Sequence, residues 1–293
     1  MKKMLMIVNP VAGKKKVLRY VAEIVNLFNR AGYVVLVHIT ERAGDGKAQL
    51  LRHAKELDLV VCCGGDGTFN EVVSGILDCG EDIPVGYIPA GSTNDFANTL
   101  GLSTNPIKAA ERILQGAPTP VDVGTLGNAR FTYIASFGAF TRASYNTPQN
   151  AKNTLGHTAY LLEGLTELSQ IRKIRVKAEL DEETVEGEYI FGAVCNSTSV
   201  AGVLKLDPRR VDLQDGRFEV LLIRAPKDLA ELSGCIHALS AQTYDSPMIT
   251  FRSSRNVTIT TPEKMTWSLD GEGVEGDKTV QIRNLRQAIR IVM

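Results

Sequence analysis

Between residues 57 and 77 the chain sets an acid inside a glycine turn. Gly64-Gly65-Asp66-Gly67-Thr68 follows a short apolar run, residues 57–63, that reads as a buried strand. It precedes Phe69, Val72, Val73, Ile76 and Leu77, apolar positions that recur at helical spacing. A strand that turns through glycines into a helix exposes backbone N–H groups at the helix N-terminus, and such groups favour phosphate. An acid beside a phosphate repels it unless a divalent cation lies between them, so Asp66 points to a metal–nucleotide complex and to phosphoryl transfer. Asn70 and Glu71 follow at the helix start. Gly91-Ser92-Thr93-Asn94-Asp95-Phe96 repeats the design after another strand-like run, with glycine, hydroxyl and amide groups for phosphate or ribose and Asp95 as a second acid. Two acids near a polyphosphate are what Mg²⁺-assisted transfer requires. A lone glycine-rich turn is equally an ordinary strand-to-helix connection, and for the first loop by itself that alternative stands at even odds.

The elements that must position these loops alternate. Residues 5–8 read as a strand ending at Asn9-Pro10 and Gly13, with Lys14, Lys15 and Lys16 beyond. A helix follows on Val17, Val21, Ile24, Val25 and Phe28, with Gly32 as its cap. Residues 33–39 form a Val-rich strand, 46–56 a helix, 83–88 a strand, and 107–115 a helix after a short one ending at Leu100. Strands and helices in alternation predict an open α/β domain with a parallel sheet, whose ligands bind at the C-terminal ends of the strands. The loops after Val8, Cys63 and Ile88 all fall at that edge, and their convergence says more than any one alone. From Val121 onward the texture changes to strand-like runs at 130–137, 174–180, 188–195, 217–224, 248–251, 256–261 and 279–292. Only 154–169 and 227–241 look helical there, so a mainly antiparallel β-sandwich is expected. The expected domains are 1–124, an α/β nucleotide-binding domain, and 125–293, a β-rich domain whose final strand is allowed to return to the first. With no linker of low complexity, the two are expected to share an interface and a cleft.

Composition sets outer bounds. The 293 residues carry 44% hydrophobic and 23% charged side chains, the balance of a globular chain, and a net charge of +0, which speaks against a nucleic-acid partner. No apolar run approaches the roughly 18 residues of a membrane span. Met1-Lys2-Lys3 and the apolar residues 4–8 mimic a signal peptide, but the run stops at Asn9-Pro10 without a cleavage site, so a first strand is expected. The 5 cysteines are odd in number and lack a CxxC pair, which predicts reduced thiols and a cytoplasmic protein.

Gly64 to Thr68 with Asn70-Glu71, then Gly91-Ser92-Thr93-Asn94-Asp95-Phe96-Ala97, and finally Leu269-Asp270-Gly271-Glu272 together resemble the diacylglycerol kinase catalytic-domain family of lipid kinases. The resemblance is nearest to its soluble bacterial diacylglycerol and lipid kinase branch and covers essentially the whole chain. The first loop alone is shared with NAD kinases; the three segments in this order are far more specific. The resemblance implies ATP and Mg²⁺ as cofactors and a lipid hydroxyl as acceptor, most simply diacylglycerol giving phosphatidic acid. It places Asn9, Pro10, Gly13, Thr40, Gly64, Gly65, Asp66, Gly67, Thr68, Asn70 and Thr93 around ATP, and Glu71, Gly91, Ser92 and Asn94 complete that set. It makes Asp66 and Asp95 acids required for activity and Glu272 the general base, oriented by the Asp270-Gly271 turn. From the residues alone, Asp-Gly between strand-like runs is a common hairpin signal and Glu272 a solvated hairpin residue. The resemblance further implies a structural Mg²⁺ on the carboxylates of Asp212 and Asp215 and the backbone carbonyl of Arg217, with Asp122 as a link toward the cleft. Oxygen donors on a loop suit a hard cation, and a plain surface turn is the alternative.

Other groups weigh less. His38, His53, His157 and His237 are scattered without ligand spacing, and no GxSxG elbow supports a hydrolase. Lys14 to Lys16 and the basic residues of 172–177 read as solvated faces that can also meet anionic headgroups. Asn98 stands where relatives often have arginine, and Ser92 where many have threonine. The expected partner is therefore a lipid at the membrane surface, reached peripherally at the inner face of the membrane, with a homodimer allowed for. Competing functions are an NAD or other small-molecule kinase and a catalytically silent lipid- or nucleotide-binding regulator.

Overall fold

The computed structural model describes residues 1–13, 17–139, 172–200 and 204–293. The lysines at 14–16, the predicted helix at 154–169 and His157 lie outside the described residues. The chain divides into two compact units, Met1–Val123 with Arg286–Met293, and Gly124–Leu285.

In the first unit, β1 (Lys2–Val8), β2 (Tyr33–Ile39), β3 (Leu59–Gly64) and β4 (Val85–Pro89) alternate with α1 (Val21–Arg30), α2 (Asp45–His53), α3 (Asp66–Cys79), α4 (Asp95–Thr99) and α5 (Pro106–Gln115). The sheet order is β2-β1-β3-β4, every pair parallel. The central strands β3 and β4 are buried along their whole length, which is why they read as unbroken apolar runs. α1 buries Ile24 and Phe28 against a cluster built from Met4, Met6, Val61 and Ile113. The order reverses between β1 and β3, and open α/β sheets bind ligands beyond the strand ends at such a reversal.

The second unit is a sandwich with antiparallel pairing. β5 (Pro118–Leu126) enters it and pairs with β6 (Ala129–Phe131). β7 (Ile134–Gly138), β8 (Ile174–Glu179) and β9 (Thr184–Cys195) follow, then the short pair β10 (Ser199–Val200) and β11 (Leu204–Lys205). After β12 (Phe218–Arg224) comes α6 (Leu229–Ser240), then β13 (Ile249–Ser254), β14 (Asn256–Thr260), β15 (Met265–Leu269), β16 (Glu272–Gly276) and β17 (Thr279–Val292). The long strand β9 joins the two halves of this unit: its first half pairs with β8, its second with β7 and β12. One buried cluster draws on both, with Phe137, Val194, Val220 and Trp267 beside Ala178, Ile259 and Ile282. β17 starts in this unit against β14 and ends in the first, where Ile291 pairs with Val85 of β4. The helix expected over 227–241 is α6, and the hairpin expected at Asp270-Gly271 is the β15–β16 turn. All five cysteines are free. Among the described residues no helix is long and apolar enough to cross a membrane.

Phe28 is fully buried and meets Tyr33 edge-on with ring centroids 5.8 Å apart. Phe28→Ala is expected to lower the stability of the first unit by about 3–5 kcal/mol, read as a lower urea midpoint.

Candidate active site

Three loops at the C-terminal ends of β1, β3 and β4 lock onto one another. The N–H of Asn9 donates to the carbonyl of Cys63 (2.9 Å), and its side-chain amide donates to Thr68 Oγ1 (2.9 Å) in the first turn of α3. The N–H of Ala90 donates to the carbonyl of Gly64 at 2.7 Å, joining the second loop to the third. Glycine is required where they touch. A Cβ on Gly91 would lie 2.7 Å from Gly65 Cα, and one on Gly13, at φ +50°, would lie 2.4 Å from the Ala90 carbonyl oxygen. Thr40 closes the first loop from the other side, its N–H donating to the carbonyl of Val8 at 2.9 Å. The structure therefore brings Asn9, Gly13, Thr40, Gly64, Gly65, Thr68 and Gly91 to one edge of one sheet, with the N-terminus of α3 opening there.

Asp66 has a different setting from the one its sequence suggests. It is 8% exposed, and its two oxygens accept the backbone N–H groups of Asp95 (2.9 Å) and Phe96 (3.3 Å) and the hydroxyl of Tyr87 (3.3 Å). The carboxylate thus caps the first turn of α4 and fixes the third loop against the second. Phe69 stacks on Tyr87 at 4.4 Å and tilts against Phe96 at 5.6 Å, so an aromatic cluster backs the acid. Asp95 is 5% exposed. Asn94 takes a left-handed backbone (φ 52°) and donates its side-chain amide to the carbonyl of Gly91 at 3.0 Å. Ser92 and Thr93 are exposed, and Asn70 and Glu71 are half-buried on α3. Asn98 donates to the carbonyl of Thr93 at 3.0 Å and so holds the loop's backbone. Tyr87 is the residue that sequence reasoning missed; a tyrosine in a wholly buried strand needs a polar partner for its hydroxyl, and that was the available signal.

In the second unit Asp270 is also a structural anchor. One oxygen accepts from the N–H (2.6 Å) and hydroxyl (2.8 Å) of Thr132, the other from the N–H groups of Tyr133 and Ile134 (both 3.0 Å). These bonds seat the β15–β16 turn, where Asp270 has φ 48°, on the segment entering β7. Glu272 opens β16 with an exposed side chain.

The turn before β12 carries Asp212, whose Oδ1 accepts from Gln214 N–H (2.9 Å), and Asp215, whose Oδ1 accepts from Arg217 N–H (2.8 Å). The Arg217 carbonyl accepts from the Asn284 amide at 3.2 Å. Asp122 is fully buried in the first unit and accepts the N–H of Gln287 at 2.7 Å. Among the described residues no group of three or more His, Cys, Asp or Glu side chains is arranged to hold a metal ion. The donors are nonetheless of the type a hard cation takes, and Glu219 registers their excess negative charge. Only 3% exposed, its carboxyl is pushed up to about 8 by burial first and then by the charge of Asp215, with Asp212 adding to it.

Parallel strands ending in interlocked glycine loops, followed by a β-sandwich, define a nucleotide-binding α/β unit joined to an antiparallel partner. Residues 3–126 match the family described as "Diacylglycerol kinase catalytic domain", and residues 134–293 match "YegS C-terminal NAD kinase beta sandwich-like domain". The chain is 33% identical over 295 residues to a diacylglycerol kinase of Bacillus subtilis, covering 100% of this chain and 97% of that one. It is 32% identical to a diacylglycerol kinase of Staphylococcus carnosus, covering 97% and 93%. The chain belongs to the diacylglycerol kinase family. A crystal structure of a diacylglycerol kinase from Bacillus anthracis superposes with a TM-score of 0.77 at 24% identity, covering 99% of this chain and 96% of that one, which shows the shared fold.

Two predictions follow from these contacts. Asp66→Ala leaves the buried amides of Asp95 and Phe96 without an acceptor, so a loss of about 1–3 kcal/mol and faster hydrogen exchange at those amides are expected in a chain that still folds. For Glu219 the folded carboxyl titrates above its unfolded value, so the folded state binds the extra proton between about pH 4.5 and 8 and its stability falls as pH rises through that window. In EDTA the melting temperature is expected to drop from pH 5 to pH 8, and Glu219→Gln is expected to flatten that slope.

Proposed function

We propose that this protein is an ATP-dependent lipid kinase that transfers the γ-phosphoryl group to a lipid hydroxyl, with diacylglycerol as the acceptor and phosphatidic acid as the product. The observation that carries this is the interlocking of the three glycine loops at the sheet's reversal point, in a chain of the diacylglycerol kinase family. The loops and the N-terminus of α3 present backbone N–H groups to the phosphates, with Asn9, Thr40, Thr68 and Thr93 as polar neighbours. Asp66 fixes the third loop and with it Asp95, so the donor site is built before nucleotide arrives. Glu272, exposed on the second unit, takes the proton of the acceptor hydroxyl.

Mg²⁺ accompanies ATP in this reaction and offsets phosphate charge. A second Mg²⁺ is proposed at Asp212, Asp215 and the Arg217 carbonyl, where it would relieve the negative charge that Glu219 senses. The protein meets its lipid at the membrane surface from the cytoplasm as a peripheral enzyme; this rests on the chemistry of the acceptor, whose acyl chains hold it in a bilayer.

An ATP-consumption panel with diacylglycerol, phosphatidylglycerol, sphingosine and NAD, followed by mass spectrometry of the lipid products, tests the assignment. Phosphatidic acid is the expected product; turnover confined to NAD would overturn it. Glu272→Gln is expected to abolish transfer to lipid while ATP binding, followed by calorimetry, stays within a few-fold of the parent. Retained turnover removes Glu272 from the role of base.

A further inference from the structure

Thr40 stands in the loop that joins β2 to α2, and one carboxylate grips the chain on both sides of it. Asp45 opens α2 behind Gly44, whose backbone is left-handed at φ 79°. An acid in the first turn of a helix commonly serves the helix's own N-terminus. Here its Oδ2 also turns back, accepting the N–H of Glu41 at 3.0 Å and lying 3.0 Å from Nε2 of His38. His38 precedes Thr40 by two residues and Glu41 follows it directly, so the carboxylate spans Thr40. Thr40 is itself fixed to the end of β1, its N–H (2.9 Å) and Oγ1 (3.4 Å) both donating to the carbonyl of Val8. The start of α2 packs on the same strand end, where a Cβ on Gly46 would lie 2.9 Å from Ile7 Cγ2 and 3.8 Å from Thr40 Cγ2. The Glu41 N–H first, then His38, and Arg42 in addition hold the Asp45 carboxyl below its usual range, so the clasp carries a full negative charge. Lys47 of α2 is engaged elsewhere, with Asp78 of α3 at 2.5 Å.

We propose, resting on the reading that ATP binds at the glycine loops, that Asp45 and His38 are positioning residues of the nucleotide site, acting through Thr40. After Thr40 the chain runs through Glu41, Arg42, Ala43 and Gly44, all exposed, so packing does little to hold this stretch. A loop that nucleotide has to order on arrival subtracts that ordering from the affinity. The Asp45 clasp orders it beforehand. His38 needs a proton on Nε2 to face the carboxylate, either in the neutral Nε2–H tautomer or as imidazolium, and the charge of Asp45 favours both over the bare nitrogen. A histidine without metal-ligand spacing thus has its partner at the head of the next helix. Both residues act on the donor side of the reaction and leave the acceptor side untouched.

Calorimetry of Mg–ATP binding to the full chain, without lipid, separates this role from a merely structural one. Asp45→Ala is expected to weaken binding about tenfold, the equivalent of one charge-assisted hydrogen bond. In turnover the KM for ATP is expected to rise with it, while kcat and the KM for diacylglycerol stay within about two-fold. His38→Ala is expected to weaken ATP binding in the same direction, and His38→Gln, whose amide can donate from nearly the place of Nε2, to restore it. Without nucleotide, hydrogen exchange at the Glu41 amide is expected to quicken in Asp45→Ala. Should that variant not fold, Asp45→Asn, which keeps an oxygen for the Glu41 N–H, and the His38 pair carry the test. Faster exchange with unchanged ATP affinity makes the contact structural only and overturns the proposal. So does an equal loss in kcat and in both KM values, which marks general loosening. A parent chain that binds no ATP overturns the reading of the glycine loops itself, whereas a parent that binds while every variant matches it overturns the positioning role alone.

Discussion

At the start of α4 the backbone N–H groups of Asp95 and Phe96 point into the protein, and the carboxylate of Asp66 accepts both. Much of the first unit's functional edge depends on that contact. It holds the loop after β4 against the loop after β3, places Asn94 and Asp95, and lets Gly65 and Gly91 approach within a distance that no side chain would allow. The cost of burying this carboxyl group is offset by the two amides and the Tyr87 hydroxyl that bond to it. An acid that looks like a metal ligand beside the phosphates is, in the folded chain, first of all the fastener of the loops that would hold them.

The second unit uses the same device. Asp270 sits at a left-handed turn and draws the backbone of Thr132, Tyr133 and Ile134 onto its two oxygens, so the turn that leads into Glu272 is tied to the segment entering β7. Rigid seating of an exposed carboxylate is what a general base needs, since transfer rates fall steeply with misplacement. Glu219 illustrates the opposite situation. Its strand turns it away from the apolar core that takes Phe218 and Val220, yet it stays buried, and that burial together with Asp215 and Asp212 pushes its pKa up while a backbone hydrogen bond and Arg217 oppose them.

Much of the fold was legible in residue pattern. β3 and β4, buried on both faces, read as continuous apolar runs; α1 and α5 announced themselves by helical spacing; the change of texture after Val121 marked the passage to antiparallel strands. The three loops of the site were legible for the same reason, because glycine, proline and asparagine at strand ends have few other uses. The partners of the acids were not. Nothing near Asp66 in sequence announces Tyr87 or the amides of residues 95 and 96, and nothing near Asp270 announces Thr132, since both contacts join residues far apart in the chain. Glu219 was invisible for a related reason: one charged residue in a strand reads as solvent-facing until the packing that covers it is known.

The sequence by itself determined the class of each unit, the loops that bear the chemistry and the family to which the chain belongs, because these rest on local periodicity and on residue types that few backbones tolerate. Tertiary structure alone decided which carboxylates are spent on the backbone and which remain exposed. That division depends on where buried N–H groups fall once the strands are in register, a property of pairing across the fold that no stretch of sequence contains.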